Sequence, residues 1–377
     1  MKTETNKIYC NWAASSPVKL FDYNILKTHN SLLRTGMYPD DCSDSLRDEI
    51  GLFFKANNKN RIIIGSGVTD LLNKLLLGIS FSKGDNIITT VLEHNSVLRP
   101  LNYIKRVNEL EITVLNPDDK GCINPEDLKS KIKKNTRLII ITHCSNVTGT
   151  IQPIKEIAKI ARDHGVYMIV DSAQSTGRIS INVTDINTDA IVFSSHKGLM
   201  GPSGIGFAIL GNDFNPQPVF SGGTGFRSEL DFQPEEMPYR LEPGTINYEG
   251  ALLLKDSLLK HKTSAIFNNY LELRPLIKYL KDEIEKICDF KIFSDNNFNS
   301  IPIINISHER ITSEELGFIL YKVFGVIARH GLHCSPLTHK WLGTYPSGTL
   351  RLSFGPECDS NDIERIIDAL GFITRHA

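Results

Sequence analysis

The stretch DAIVFSSHKGLMGPSGIGFAIL, from Asp189 to Leu210, decides the fold. Its apolar run AIVF predicts a buried strand, which ends at two serines and is followed by a histidine and Lys197. Four glycines fall from Gly198 to Gly206, and a second strand-like segment, GIGFAIL, begins at Gly204. A lysine between a strand and a glycine-rich turn is either an ordinary solvated surface residue or a residue that contacts a bound ligand.

Strand-like and helix-like segments alternate around this stretch, from about residue 60 to 210. For example, RLIIITHCSN is followed by an amphipathic stretch that begins at Pro153 and ends at Gly165. Such alternation predicts an α/β fold in which a mostly parallel sheet lies between helices. A long Gly-, Pro- and acid-rich excursion follows at 221–250, and then helices and short strands that predict a smaller C-terminal α/β domain.

These patterns predict three divisions of the chain. They are an N-terminal segment (1–17), a large ligand-binding domain (18–248) and a small C-terminal domain (249–377).

The composition excludes several classes of function. The 377 residues carry a net charge of −1, which gives no field for nucleic acid or an anionic membrane. We find no apolar stretch of the ~20 residues that a membrane span needs, and no signal-peptide core in MKTETNKIYC. The seven cysteines form no CxxC pair, which argues against a disulfide framework and a zinc site. We therefore expect a cytoplasmic protein without a bound metal.

Polar residues follow several of the predicted strands. If the sheet is parallel, these residues meet at one edge, where open α/β sheets bind their ligands. They are Ser66 to Thr69, Glu93 and His94, His143 to Asn146, Asp171 to Gln174, and Ser194 to Lys197.

Each of these groups has an ordinary interpretation beside a chemical one. The GSGVTD turn before a predicted helix is either a simple helix cap or a phosphate site, and the chain contains neither a Walker A loop nor GxGxxG. Asp171 is either a cap or ion-pair partner or the counter-ion of a cationic ring nitrogen, and His94 is either structural or stacked on a planar ring. Together with Lys197, these groups are the set that pyridoxal phosphate needs: an amine for the aldehyde, a phosphate cradle and a carboxylate for the pyridine nitrogen.

The sequence resembles the class V aminotransferase family of fold-type I pyridoxal-phosphate enzymes, and within it the cysteine desulfurases. The resemblance covers nearly the whole chain and implies a seven-stranded sheet in the large domain. It is carried by YCNWAASSP, GSGVTD, LEHNSVLRP, the long block from HCSNVTGT to QSTGRISI, and SSHKGLMGPSGIG, the most specific of the five.

The resemblance implies a role for each matching residue. Lys197 would hold the cofactor and later move the Cα proton, with His94 stacked on the ring as a further catalytic residue. Thr245, in EPGT, would cross a homodimer interface to the partner's phosphate. The full set of expected cofactor-binding residues is Val68, Thr69, His94, Asn146, Asp171, Gln174, Ser194, His196, Lys197 and Thr245.

The reaction depends on the stretch ARHGLHCSPLTHK. Its Arg-x-Gly-x-x-Cys pattern, from Arg329 to Cys334, resembles the segment that carries the nucleophilic cysteine of the desulfurases. Arg351 resembles the arginine that binds the substrate carboxylate, with Asn146 and Arg329 as further substrate contacts. The compact segment is similar to that of group II members. The implied reaction converts L-cysteine to L-alanine and leaves a persulfide on Cys334 for an acceptor protein or thiol.

Three alternatives stay open on the sequence alone. Selenocysteine lyase activity is chemically close. The same cofactor also serves transamination, racemisation and β-elimination on other amino acids. A non-catalytic cofactor-binding protein is a third alternative, although the chain carries no DNA-binding module.

Overall fold

The computed structural model describes residues 7–17, 24, 26, 42–263, 266–294 and 299–377. Its largest feature is a seven-stranded sheet with the strand order β2-β8-β7-β6-β5-β3-β4. The strands are β2 (Ile62–Gly65), β3 (Asn86–Thr90), β4 (Glu111–Leu115), β5 (Thr136–Thr142), β6 (Tyr167–Asp171), β7 (Ala190–Ser194) and β8 (Gly206–Leu210).

Strands β3 to β7 pair in parallel, whereas β8 runs antiparallel to both of its neighbours, β2 and β7. The prediction of a mostly parallel α/β sheet is therefore confirmed. The stretch from Asp189 to Leu210 forms β7 and β8, and Lys197 lies in the turn that leaves the carboxyl end of β7.

The sheet is buried on both faces, and this explains why its strands are continuous apolar runs. In β5, Leu138 and Ile140 pack into one core cluster while Ile139 and Ile141 pack into another on the opposite face. Helices cover both faces. The helices are α1 (Cys42–Phe54), α2 (Val68–Leu77), α3 (Asn95–Asn108), α4 (Pro125–Ser130), α5 (Ile154–Asp163), α6 (Val183–Ile186), α7 (Tyr248–Thr263), α8 (Ile266–Ile284), α9 (Ser313–Ile319), α10 (Pro336–Trp341) and α11 (Ser360–His376).

A second, antiparallel sheet is formed by the C-terminal part of the chain, with the order β12-β13-β10-β9. Its strands are β9 (Phe290–Ile292), β10 (Ile303–His308), β12 (Arg329–Gly331) and β13 (Thr349–Ser353). Helices α8 and α11 pack on it through residues such as Leu280 and Ile366. Helix α9 begins with the capping box expected at Thr312 and Glu315.

The N-terminal segment joins this second unit. Strand β1 (Ile8–Tyr9) pairs in parallel with β11 (Val326–Ile327), and the backbone N–H of Ser353 donates to the oxygen of Cys10. The division points at residues 17/18 and 248/249 stay predictions, and residues 1–6 and 18 lie outside the described residues. Within the described part of the chain, no helix combines the length and apolar character needed to cross a membrane.

Candidate active site

The carboxyl ends of β2, β3, β5, β6 and β7 meet at a crevice of about 490 Å³. The position follows from the topology, since neighbouring parallel strands end at the same edge. Eleven of the residues singled out in the sequence line this crevice: Val68, Thr69, His94, Asn146, Asp171, Gln174, Ser194, His196, Lys197, Arg329 and Arg351. Cys334 and Thr245 do not lie on its wall.

Lys197 enters the crevice from a tightly packed turn. A Cβ on the neighbouring Gly198 would lie 2.2 Å from the backbone oxygen of Thr176, so only glycine permits this close approach. The Nζ of Lys197 donates no hydrogen bond within the described residues. Burial lowers the pKa of this amine to about 8, with Asp171 acting in the opposite direction. Within the described residues, the turn therefore presents an amine without a hydrogen-bond partner, whose charged form is disfavoured by burial.

Asp171 is the last residue of β6 and is only 3% exposed. One carboxylate oxygen, Oδ1, accepts the backbone N–H of Ala173 at 2.9 Å. Burial raises the pKa of this carboxyl, while the hydrogen bond from Ala173 and the charge of Lys197 lower it. A buried carboxylate in this position is stabilised by a cation in the crevice, such as a protonated ring nitrogen.

His94 caps the N-terminus of α3. Its Nδ1 accepts the backbone N–H of Ser96 at 3.0 Å, so the proton of the neutral ring lies on Nε2. Burial, followed by the positive charge of Lys197, lowers the pKa of His94 to about 4. The ring is thus neutral and fixed, as a flat stacking surface requires.

The N-terminus of α2 supplies the expected anion cradle. Its cap residue, Gly67, forms no side-chain capping bond, so the first amide groups of the helix are left for a ligand. A Cβ on Gly206 of β8 would lie 2.9 Å from the Cα of Gly67, which explains the glycine there. On the other side, Ser194 Oγ and His196 Nδ1 lie 3.3 Å apart. Burial lowers the pKa of His196 to about 4, and the neutral ring retains a donor N–H.

The cysteine segment, residues 329–335, is tied to the large sheet through Asn146. The Nδ2 of Asn146 donates to the backbone oxygen of His333 at 2.7 Å, and its Oδ1 accepts the hydroxyl of Ser335 at 2.7 Å. His333 and Cys334 both have left-handed backbone conformations, with φ of 50° and 60°. This conformation is unfavourable for residues other than glycine. The two hydrogen bonds of Asn146 therefore act as a tether that holds the segment in a specific shape.

Cys334 lies beside the crevice rather than on its wall. Its Sγ accepts a contact from Nη2 of Arg329 at 3.5 Å, and its backbone oxygen accepts the N–H of Asn95 at 2.7 Å. Arg329 and His333 do line the crevice, so the thiol is one residue removed from that surface.

Arg351 is buried on β13 and faces the same crevice. Its Nη1 donates to the backbone oxygen of Asn146 at 2.9 Å, while its buried Nε has no hydrogen-bond partner in the described part of the chain. Burial and the charges of Arg329 and Arg178 lower its pKa to about 9. A buried guanidinium with an unused donor is a natural site for a substrate carboxylate.

Gln174 is engaged more fully than the sequence indicates. Its Nε2 donates to the backbone oxygen of Ala13 at 2.8 Å, and its Oε1 accepts from Nη1 of Arg178. Sequence reasoning missed Arg178, which is buried and also donates to the backbone oxygen of Trp12 at 2.7 Å. The only available signal was its spacing of four residues from Gln174 within QSTGR.

Thr245 is exposed in the long excursion and lies away from the crevice of its own chain. Among the described residues, no group of three or more His, Cys, Asp and Glu side chains is arranged to bind a metal ion.

The comparison with known proteins agrees with this fold. The model of the family "Aminotransferase class-V" matches residues 22–366, and the chain therefore belongs to this family, whose members depend on pyridoxal phosphate. The chain is 37% identical over 326 residues to the cysteine desulfurase IscS of Buchnera aphidicola, a match that covers 82% of this chain and 77% of the relative. It is 28% identical to a probable cysteine desulfurase of Methanothermobacter thermautotrophicus, covering 86% and 82% of the two chains.

A solved structure has the same fold. The apo structure of the cysteine desulfurase from Thermococcus onnurineus superimposes with a TM-score of 0.87 at 25% sequence identity. The superposition covers 98% of this chain and 95% of the other, so the shared fold includes both sheets.

Proposed function

We propose that this protein is a pyridoxal-phosphate-dependent cysteine desulfurase that converts L-cysteine to L-alanine. The observation that carries the proposal is the placement of Lys197, Asp171 and Arg351 on one crevice, with Cys334 on a tethered segment beside it. Membership of the class V family supports the cofactor, and the names of the relatives support the reaction.

The residues present fit the cofactor. The cradle formed by Val68, Thr69, Ser194 and His196 would hold its phosphate, Asp171 its ring nitrogen and Lys197 its aldehyde carbon. His94 would cover one face of the ring, with Gln174 and Asn146 near its edge. When bound, the cofactor supplies an electron sink for the charge that develops at the substrate Cα.

Lys197 is the residue that we assign to the Cα proton. A general base works best when its pKa lies near the working pH, and burial lowers the pKa of this amine to about 8. No hydrogen bond within the described residues occupies its Nζ, so the amine can accept a proton and return it.

Arg351 is the residue that we assign to the substrate carboxylate, because a guanidinium fork matches a carboxylate with two parallel hydrogen bonds. Arg329 and Asn146 complete the substrate contacts. Arg329 also contacts Cys334, so it lies between the bound substrate and the nucleophile.

Cys334 performs the sulfur step. Its Sγ attacks the substrate sulfur, the bond between that sulfur and Cβ breaks, and the electron pair stays on Cβ, which takes up a proton. L-Cysteine and one Cys334 thiol thus give L-alanine and one Cys334 persulfide, and no external oxidant is consumed. An acceptor protein or thiol then removes the sulfur.

The assembly and location belong to the same proposal. We propose a cytoplasmic homodimer in which Thr245 reaches the phosphate of the partner's cofactor. The exposure of Thr245, away from its own crevice, is in keeping with such a contact.

The test is turnover of the purified protein with L-cysteine and a thiol reductant. Sulfide and alanine should appear in equal amounts, and Cys334→Ala should abolish both while the bound cofactor keeps its yellow colour. Cys288→Ala is the matched control, since Cys288 is an exposed thiol elsewhere on the chain. Turnover that survives Cys334→Ala would exclude the persulfide route, and a higher kcat/KM for L-selenocysteine would assign the protein as a lyase of that amino acid.

A further inference from the structure

A second concavity, of about 560 Å³, lies on the C-terminal unit. One side is the turn Tyr321–Gly325, the other is the face of α11 between Arg365 and Arg375, and Lys7 lies at the edge. We call this concavity the basic cleft. None of its residues lines the crevice described above, so the two sites are separate.

The basic cleft carries an unbalanced charge. Four cationic side chains line it, Lys7, Lys322, Arg365 and Arg375, against one carboxylate, Asp368. Lys7, Lys322 and Arg375 form no ion pair with the described part of the chain. The whole protein has a net charge of −1, so this excess of positive charge is local. It is complementary to an acidic ligand.

The floor of the cleft is apolar and open to solvent. Tyr321, Val323 and Phe372 are exposed by 43%, 56% and 43%, and the rings of Phe372 and Phe324 meet edge to face. Lys7 and Lys322 lie over the ring of Tyr321, at 6.0 and 5.3 Å from its centre. Aromatic side chains are enriched at protein-binding surfaces, and the two lysines add positive charge beside this exposed ring.

The dimensions of the cleft suit an extended peptide. From Arg365 to Arg375, α11 rises by roughly 15 Å, which equals the length of about five residues in an extended chain. The turn Leu320–Phe324 on the opposite wall is π-helical, a conformation that is rare and is frequent at functional sites.

Two chain segments connect the cleft with the crevice. The first runs from Lys7 through β1 to Ala13 and Ala14, which line the crevice. The second runs from Phe324 through β11 and β12 to the cysteine segment. Strands β1 and β11 are paired, so a ligand in the cleft would contact both segments where they leave it.

We infer that the basic cleft is a docking site for an acidic peptide segment of a partner protein, with an apolar side chain of that segment resting on Tyr321 and Phe372. The carboxylates of the peptide pair with Lys7, Lys322 and Arg375. This inference does not depend on the reaction proposed above.

The test uses the full-length, cofactor-loaded protein and a fluorescent, capped peptide of glutamates with two phenylalanines three residues apart. Anisotropy should show saturable binding that weakens with added salt. The double variant Lys322→Glu/Arg375→Glu should weaken binding by about tenfold or more, since it reverses two of the four cations. The control Lys131→Glu/Lys134→Glu, with the same charge change on another exposed surface, should bind as the wild type does.

Two more peptides test the chemistry of the ligand. Replacing glutamate by lysine should abolish binding, and replacing phenylalanine by alanine should weaken it. Hydrogen exchange should show protection of the turn 321–325 and of α11 when the glutamate peptide is bound.

Several results would overturn the inference. They are equal binding by the cleft variant and the control, protection confined to another surface, and preference for a single-stranded oligonucleotide of the same charge. If removal of residues 1–6 tightens peptide binding, the chain's own N-terminal segment is the occupant. If the charge reversals change the oligomeric state, a second copy is the occupant.

Discussion

Nη1 of Arg351 donates a hydrogen bond of 2.9 Å to the backbone oxygen of Asn146, a residue that lies 205 positions earlier in the chain. The bond joins β13 to the loop after β5. It places the proposed carboxylate-binding residue directly against the residue that tethers the cysteine segment. If Arg351 binds the substrate carboxylate as proposed, substrate binding and the position of Cys334 are coupled through one backbone group.

Replacing Arg351 tests the carboxylate assignment. Arg351→Lys keeps the charge but loses the planar fork, and Arg351→Gln loses both. We expect kcat/KM for L-cysteine to fall by roughly 10-fold to 100-fold in Arg351→Gln, as for the loss of a charged hydrogen bond worth about 1.5–3 kcal/mol. The fall should be smaller in Arg351→Lys. Steady-state alanine formation measures both, and unchanged kcat/KM in Arg351→Gln would remove this residue from the substrate site.

Replacing Asn146 tests the tether. Asn146→Ala removes the bonds to His333 and Ser335, whereas Ser335→Ala removes only one of them. We expect slower persulfide formation on Cys334, by roughly 30-fold for two hydrogen bonds of about 1 kcal/mol each and by less for Ser335→Ala. Single-turnover labelling of the persulfide is the measurement. Equal rates in all three proteins would show that the segment keeps its shape without the tether.

The lowered pKa of Lys197 has a consequence for stability. The pKa of this lysine is about 8 in the folded protein and 10.5 in an unfolded chain. Between these two pH values, the unfolded chain binds a proton at Lys197 that the folded, cofactor-free protein does not. The contribution of Lys197 to the free energy of unfolding therefore rises with pH across this window, by up to about 1.4 kcal/mol per pH unit. Below pH 8 the buried charge is unfavourable, so Lys197→Met should stabilise the cofactor-free protein most there.

Urea unfolding at several pH values, with the exposed Lys131→Met as control, measures this difference. The gain from Lys197→Met should shrink as the pH rises from 8 to 10.5. A gain that does not change with pH would mean that the amine titrates as an ordinary surface lysine. Lys197→Met cannot form a Schiff base through this side chain, so its absorption spectrum with added cofactor should match that of the free cofactor.

Replacing Thr245 tests the proposed contact between the two subunits of a homodimer. If Thr245 reaches the partner's phosphate, Thr245→Ala should weaken cofactor binding by about tenfold, corresponding to about 1.4 kcal/mol. Ser228→Ala, an exposed hydroxyl in the same excursion, should leave the affinity unchanged. Equilibrium dialysis gives the affinities and sedimentation gives the mass. A monomer, or equal affinities, would rule out this contact.

The sequence was informative where a polar residue follows an apolar run. Asp171 and Lys197 could be assigned because they end β6 or follow β7, and burial on both faces makes those strands recognisable. The direction of β8 was not predictable, because a buried antiparallel strand is as apolar as a parallel one. A pattern of hydrophobic residues carries no information on strand direction.

Residues whose role depends on distant partners were harder to predict. The guanidinium of Arg178 donates to the backbone oxygen of Trp12. Because every residue has a backbone oxygen, the sequence does not indicate which one a side chain will contact. The left-handed conformations of His333 and Cys334 have no signal either, since neither residue is glycine. The motif around Cys334 indicated the nucleophile but not its place beside the crevice wall.

The crevice unites the two extremes of the polypeptide, since Nη2 of Arg351 contacts Oδ1 of Asn11 and the hydroxyl of Ser353 accepts the N–H of Ala13, each across 340 positions. A nascent chain on the ribosome thus lacks one wall of the pocket until residues 351–353 have been synthesised. We expect a nascent chain that stops before these residues to release no sulfide from L-cysteine.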